Sequence, residues 1–99
     1  MPTLFETLAE DRRGFILRVL CDQGDYALNC GVVQDALERV GHSVARSQVH
    51  DDLAWLEQRG LVELQAVGHL RLATLTIRGQ DVARGREHVP GVKRPGPRT

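Results

Sequence analysis

The apolar residues in the first part of the chain repeat at helical spacing in two blocks. The first block forms a single helical stripe, made of Leu4, Leu8, Phe15, Ile16, Val19 and Leu20. The second block repeats in the same way, at Val32, Val33, Ala36, Leu37 and Val40. Gly24 ends the first pattern, while Asn29, a favourable N-cap residue, and Gly41 bound the second. The pattern therefore predicts two amphipathic helices.

A third apolar repeat is formed by Val49, Leu53 and Leu56. It ends at Gly60 and follows a link, residues 41–45, that has the length of the turn in a helix-turn-helix unit. The third helix is therefore the predicted recognition helix. Ala45 stands where Ser or Thr commonly caps such a helix, so Ser43 or Ser47 must supply the acceptor, or the helix begins with an unsatisfied amide.

Two segments of imperfect alternation, residues 61–67 and 70–75, flank Gly68-His69. Glycine supplies the positive φ that a tight turn requires, so these segments predict a β-hairpin. Thr76 can cap a last helix from Ile77 to about Gly85. The predicted fold is mainly α with a small β-hairpin, in the order α-α-α-β-β-α, which is that of a winged helix-turn-helix domain.

The end of the chain lacks an apolar repeat. Residues 89–99 contain three prolines and two glycines, a composition typical of an extended, mobile segment. We therefore expect a winged-helix domain over residues 1–87 and a flexible basic tail over residues 88–99.

Composition and charge narrow the function classes. Hydrophobic residues make up 41% of the chain and charged residues 26%, as in ordinary globular proteins. The segment Met1–Glu6 lacks a secretory signal, so we expect a cytoplasmic protein with reduced cysteines. The net charge is zero, but residues 1–70 hold six arginines against eleven acids, a net −5, and residues 71–99 hold seven basic residues against two acids, a net +5. The positive half would supply attraction to nucleic acid.

The start of the third helix carries the predicted DNA-reading side chains, because residues there reach base edges in the major groove. These are Arg46, Ser47, Gln48 and His50. Arginine can pair with guanine and glutamine with adenine. Further predicted contacts are His69 and Arg71 from the hairpin, and Lys93, Arg94 and Arg98 as phosphate or minor-groove contacts. The alternative is a merely solvated face, since the carboxylates of Asp51 and Asp52 would repel phosphate.

Other chemistry has less support. Two cysteines and four histidines are scattered without C-x-x-C or H-x-x-x-H spacing, so we expect no metal and no cofactor. A Gly-rich phosphate loop and a nucleophile elbow are both absent, which argues against an enzyme. Trp55 lies beside the apolar edge of its helix and either contacts a partner or, as we favour, packs against the hairpin or the last helix.

Two sets of motifs resemble known families. The spacings Val44-x4-Val49-x3-Leu53-x2-Leu56, Gly60-Leu61-Val62 and Leu75-Thr76-x2-Gly79 resemble those of the MarR-like and ArsR-like bacterial regulators. Four further segments resemble short proteins of Mu-like phages and prophages: Asp11-Arg12-Arg13, Asp51-Asp52-Leu53-Ala54-Trp55-Leu56, Arg78-Gly79-x-Asp81-Val82-Ala83 and Val89-Pro90-Gly91-Val92-Lys93-Arg94-Pro95. The resemblance implies a small phage winged-helix protein. Metal sensing is not implied, because the third helix has no thiol.

These observations predict a sequence-selective double-stranded DNA-binding protein, a phage or prophage transcriptional regulator. A single small domain contacts few base pairs, so we expect a homodimer on a two-fold site, with the first helix as its contact surface. The competing hypothesis is a protein-interaction module that binds a phage or host protein through the third helix without DNA.

Overall fold

The computed structural model describes residues 1–96. Its elements are α1 (Leu4–Cys21), β1 (Ala27–Asn29), α2 (Cys30–Arg39), α3 (Arg46–Gln58), β2 (Val62–Val67), β3 (Leu70–Leu75) and α4 (Ile77–Ala83). The predicted winged-helix order is confirmed, with one strand added between the first two helices. Among the described residues, no helix has both the length and the apolar character needed to cross a membrane.

Side-chain caps fix where three of the four helices begin. The Thr3 hydroxyl accepts a hydrogen bond from the Glu6 amide at the start of α1. Asn29 caps α2 through the Val32 amide at 3.0 Å, and Thr76 caps α4 through the Gly79 amide at 3.0 Å, as the sequence predicts. Each cap contributes about 1 kcal/mol.

α3, the predicted recognition helix, begins without such a cap. Ala45 is its N-cap residue and makes no side-chain hydrogen bond there. The expected replacement by Ser43 or Ser47 is not seen, so the start of α3 depends on packing and on solvent to satisfy its first amides.

The sheet has the strand order β1-β3-β2 and is antiparallel throughout. The hairpin pairs Val62 with Leu75 and Val67 with Leu70, and Gly68 has the positive φ of 60° that the turn was predicted to need. The strand β1 was not predicted, because three residues are too few to show an alternating pattern. Its pairing of Ala27 with Thr74 ties the start of α2 to the wing.

The core lies between the helices and one face of the sheet. Its largest fully buried apolar side chains are Ile16, Leu17, Leu20, Leu37, Leu53, Leu56 and Leu61. Gly79 packs against the backbone carbonyl of Leu61, a contact with no room for a Cβ. This close approach holds α4 against the segment that joins α3 to β2.

The expected mobile tail from residue 88 is wrong for the segment Val89–Lys93. Val89 and Val92 are buried, and the Arg13 guanidinium donates to the Gly91 carbonyl oxygen at 3.0 Å. The Lys93 amide also donates to the carbonyl oxygen of Glu10 on α1, at 3.2 Å. Two apolar residues are too few to form a periodic pattern, so this packing could not be predicted from the sequence. Arg98 lies outside the described residues.

Candidate nucleic-acid interface

The solvent face of α3 is narrow and polar. Successive residues turn by about 100° around a helix axis, so the core side, with Val49, Leu53 and Leu56, leaves the opposite side exposed. The centre of that exposed side consists of Ser47, Asp51, Ala54 and Gln58, and the exposed Arg46 and Glu57 lie along one edge of it. Of the four central residues, only Ser47 belongs to the predicted DNA-reading set. Ala54 and Gln58 were missed, although their helical spacing of seven and eleven residues from Ser47 would have revealed them.

One edge of α3 borders a basic cleft of about 370 Å³. Arg46 and His50 of α3 line one side, and His69 and Arg71 of the hairpin line another. The first residues of α2 and Leu70 complete the lining. The structure therefore brings together four of the predicted site residues from two separate elements.

The charges that line the cleft also act on the thiol of Cys30, which is part of its lining. Burial raises the pKa of Cys30, and the positive charges of Arg71 and Arg46 oppose that rise. Both guanidinium groups therefore act on the start of α2. A group with negative charge placed in the cleft would meet two permanent cations and two imidazole rings.

Arg46 is held in place by the neighbouring helix. Its Nε donates to the Gln34 Oε1 at 2.6 Å, and the Gln34 Nε2 donates to the Val44 carbonyl oxygen at 3.1 Å. Gln34 therefore orients the guanidinium from α2 while the side chain stays exposed. Gln34 could not be identified from the sequence, because its role follows only from the packing of α2 on α3.

Gln48 and Asp52 form a second polar cluster, on the other edge of α3. The Gln48 Nε2 donates to the Asp52 Oδ1 at 3.2 Å. Asp52 is 2% exposed and accepts two hydrogen bonds from Arg12 of α1, at 2.7 and 3.3 Å. The expectation that Asp52 faces a phosphate backbone is therefore wrong, because its charge is buried and paired. Asp51 remains exposed.

Lys93 and Arg94, the remaining described residues of the predicted set, lie away from the basic cleft. They belong to the C-terminal segment, whose Gly91 contacts Trp55. Trp55 is about 180° around the helix from Arg46. In the C-terminal segment the Lys93 ammonium lies 3.3 Å from a carboxylate oxygen of Asp11, and Lys93 and Arg94 line a separate opening of about 330 Å³. The tail and the hairpin therefore do not form one continuous basic face.

Trp55 packs inside the domain, as predicted, but not against the elements that were expected. The guanidinium carbons of Arg13 and Arg59 lie 4.0 and 3.5 Å from its ring centroid. The Arg13 contact joins α1 to α3, and the Arg59 contact holds the ring against the end of α3. The spacing of Trp55 and Arg59, four residues apart on one helix, is the signal from which one of the two contacts could have been predicted.

Within residues 1–96, no three His, Cys, Asp or Glu side chains converge as a metal site would require. No family model matches the chain. Its sequence is 46% identical over 93 residues to the uncharacterized protein gp26 of Escherichia phage Mu, a match that covers 94% of this chain and 96% of gp26. It is also 37% identical over 60 residues to an uncharacterized protein of Haemophilus influenzae, covering 61% of this chain and 58% of that protein.

Among solved structures, the fold resembles that of reduced HlyU from Vibrio cholerae N16961. The TM-score is 0.58 at 27% sequence identity, and the match covers 82% of this chain and 78% of HlyU. HlyU is a winged-helix protein, in agreement with the element order and the hairpin described above.

Proposed function

The chain belongs to the family of the Mu phage protein gp26, and we propose that it is a sequence-selective double-stranded DNA-binding protein that regulates phage or prophage transcription. The observation that carries this proposal is the basic cleft. It joins Arg46 and His50 of the recognition helix to His69 and Arg71 of the wing. A duplex that receives α3 in its major groove would present a phosphate at this junction.

The proposed docking places the exposed side of α3 toward the base edges. Arg46, Ser47 and Gln48 lie in the first turn, where such residues commonly reach bases. Asp51, in the middle of the exposed side, can accept a hydrogen bond from the exocyclic amine of cytosine. This carboxylate is then compatible with a base contact, although it would repel a phosphate.

Lys93 and Arg94 enter this proposal as phosphate contacts outside the cleft. They are exposed on the C-terminal segment, on the Trp55 side of α3. A duplex that follows α3 would pass from the wing on one side toward this segment on the other, so the two basic groups would bracket the groove.

The proposal includes a homodimer formed through α1. Leu4 and Phe5 are 74% and 76% exposed, and Leu8 is also exposed. Phe15 lies on the same face of α1 by helical spacing. It borders a groove of about 450 Å³ whose other lining residues are Val32, Asp35, Ala36, Arg39 and Val40. Apolar surface of this kind marks an interaction site. A two-fold dimer through it would present two recognition helices to half-sites about one helical turn apart.

The competing function is a protein-interaction module. It is favoured by Asp51, an exposed carboxylate at the centre of the surface that would otherwise meet DNA, and by the exposed Glu63 on the neighbouring strand β2. A basic partner protein would complement these two charges.

Fluorescence anisotropy separates the two functions. The purified protein is titrated against labelled fragments of the phage or prophage genome that encodes it, at two salt concentrations and with unrelated DNA as competitor. Tight binding to one fragment that survives competitor supports the proposal, and the paired substitution Arg46→Ala and Gln48→Ala should abolish it. The substitution Arg84→Ala, which removes an exposed arginine of α4's C-cap, is the charge-matched control for Arg46. Binding that competitor removes would favour the interaction module.

A further inference from the structure

The buried pair of Arg12 and Asp52 fixes the orientation of the Gln48 carboxamide, and from this we infer that Gln48 reads adenine. The inference rests on the proposed DNA-binding function and adds to it the identity of one recognised base. It also assigns positioning roles to Arg12 and Asp52, neither of which reaches the surface.

The side chains of Arg12, Asp52 and Gln48 form a continuous chain of hydrogen bonds from the core to the edge of α3. Arg12 and Asp52 are 6% and 2% exposed, and the Arg12 Nε and Nη2 donate to the two Asp52 carboxylate oxygens at 2.7 and 3.3 Å. The Asp52 Oδ1, which makes the longer of these two bonds, also accepts from the Gln48 Nε2 at 3.2 Å. Gln48 itself is half-buried and one helical turn before Asp52.

The chemistry of the carboxylate decides which way the carboxamide faces. An ionised carboxylate only accepts hydrogen bonds, so the NH₂ group of Gln48 must face Asp52 and the carbonyl oxygen must face away. The Arg12 guanidinium donates to both oxygens of this carboxylate, as a partner of opposite charge. An unrestrained glutamine could present either edge, because its amide rotates about a broad, two-fold torsion.

One hydrogen of the Gln48 amide remains after the bond to Asp52. Within residues 1–96, that N–H and the Gln48 Oε1 have no other partner. A donor and an acceptor on one planar amide match the N7 acceptor and the N6 donor of adenine. Because the amide is already oriented, the binding of adenine would not have to select one of two rotamers.

A purely structural role explains the buried pair less well. Replacing a buried ion pair by apolar residues of similar volume is often neutral or stabilising. Stability alone therefore does not require charges at positions 12 and 52. Orientation of a polar side chain at the surface does require a fixed acceptor, which the apolar pair would not supply.

The test compares base discrimination in variants that retain the fold. Sites selected from a randomised duplex library by the wild-type protein are expected to contain one adenine per half-site, and its replacement should weaken binding by roughly 10- to 100-fold. The substitution Gln48→Ala should abolish this discrimination. The paired substitution Arg12→Met and Asp52→Leu should reduce it to the level of Gln48→Ala, while affinity for unrelated DNA stays within about twofold, since no phosphate contact is lost.

A second variant serves as the test if the protein with the apolar pair does not fold. The paired substitution Arg12→Met and Asp52→Asn leaves no buried charge and keeps the shape of the side chain at position 52, but lets either edge of Gln48 face it, so it should also reduce adenine discrimination. The substitution Glu38→Gln, at an exposed site near the end of α2, is the control and should retain it. Full discrimination in the folded Asp52 variants, or a selected site without adenine, would overturn the inference alone. Failure of the wild-type protein to select any site would overturn the proposed function as well.

Discussion

Gly91 of the C-terminal segment lies directly against Trp55 of α3. A Cβ atom built on Gly91 would lie 2.6 Å from Cζ2 of the indole ring, and the Gly91 backbone has a φ of 94°. The same ring is flanked by Arg13 and Arg59. The segment that follows α4 is therefore part of the packing that holds α3, and a change at residue 91 should alter the packing of α3.

The substitution Gly91→Ala should destabilise the domain. A non-glycine residue at positive φ costs about 1–3 kcal/mol, and the clash with Trp55 adds about 1–3 kcal/mol. Urea unfolding followed by Trp55 fluorescence measures the loss. The control is Gly24→Ala, where a Cβ would meet nothing within 4 Å and the expected change is within about 0.5 kcal/mol. Equal stability of the two variants would show that the C-terminal segment is not packed on the ring.

Single and double changes at the buried ion pair should have opposite consequences. The substitution Asp52→Ala leaves the buried charge of Arg12 without its partner and should cost about 3–5 kcal/mol of unfolding free energy. The paired substitution Arg12→Met and Asp52→Leu should lie within about 1 kcal/mol of wild type or above it. Chemical denaturation at neutral pH measures both. A double variant as unstable as the single one would mean that the pair itself stabilises the domain.

Asp11 should contribute stability that depends on pH. The His42 side chain, 2.6 Å from the Asp11 carboxylate, holds the pKa of Asp11 below its usual value of 3.8; partial burial opposes this effect and Lys93 assists it. Because the folded-state pKa is the lower one, the contribution is complete above the unfolded value and is lost as the pH falls through the folded value. The difference in Tm between wild type and Asp11→Asn should therefore be largest near neutral pH. It should decrease toward zero as the pH falls below 3.8.

The control for this measurement is Asp22→Asn, a change at an exposed carboxylate just after α1. Its Tm difference from wild type should be smaller than that of Asp11→Asn near neutral pH. A difference for Asp11→Asn that does not change with pH would contradict the assigned role of the Asp11–His42 contact.

The apolar end of α1 should determine the oligomeric state. The paired substitution Phe5→Ser and Leu8→Ser removes exposed apolar surface and should shift the protein from dimer to monomer in sedimentation velocity, because the apolar contact drives association. Ile77→Ser is the control, since Ile77 is 78% exposed on α4 and outside the α1 surface. A wild-type monomer, or a dimer unchanged by the α1 substitutions, would rule out this interface.

The fold could be predicted from the sequence where one element carries its own signal. The periodic apolar stripes of α1, α2 and α3, the caps Asn29 and Thr76, and Gly68 in the hairpin are all local. The missed features depend on contacts between distant residues. The strand β1 exists because Ala27 pairs with Thr74. Val89 and Val92 are buried in a segment that is bonded to α1 through the Lys93 amide and the Glu10 carbonyl oxygen.

The same limit applies to the candidate site. The sequence places Arg46 and His50 on one helix and His69 and Arg71 on a hairpin, but only the folded chain shows that all four line one cleft. Asp51 and Asp52 are neighbours with the same side chain, yet one is exposed and the other is 2% exposed beneath Arg12. The helical spacing puts the two carboxylates on different sides, whereas the partner of Asp52 lies forty residues away.

The most direct test of the proposed function is the salt dependence of DNA binding, measured by anisotropy on the fragment that the wild type selects. The wild-type protein is compared with a variant that carries Arg46→Ala and Arg71→Ala. Each lost phosphate contact reduces the slope of log affinity against log salt by about 0.9. The paired variant should have a slope shallower by about 0.9, because Arg71 contacts phosphate, and should lose the competitor-resistant complex, because Arg46 contacts a base. Equal slopes and equal affinities would show that the basic cleft does not face DNA, and would contradict the proposed function.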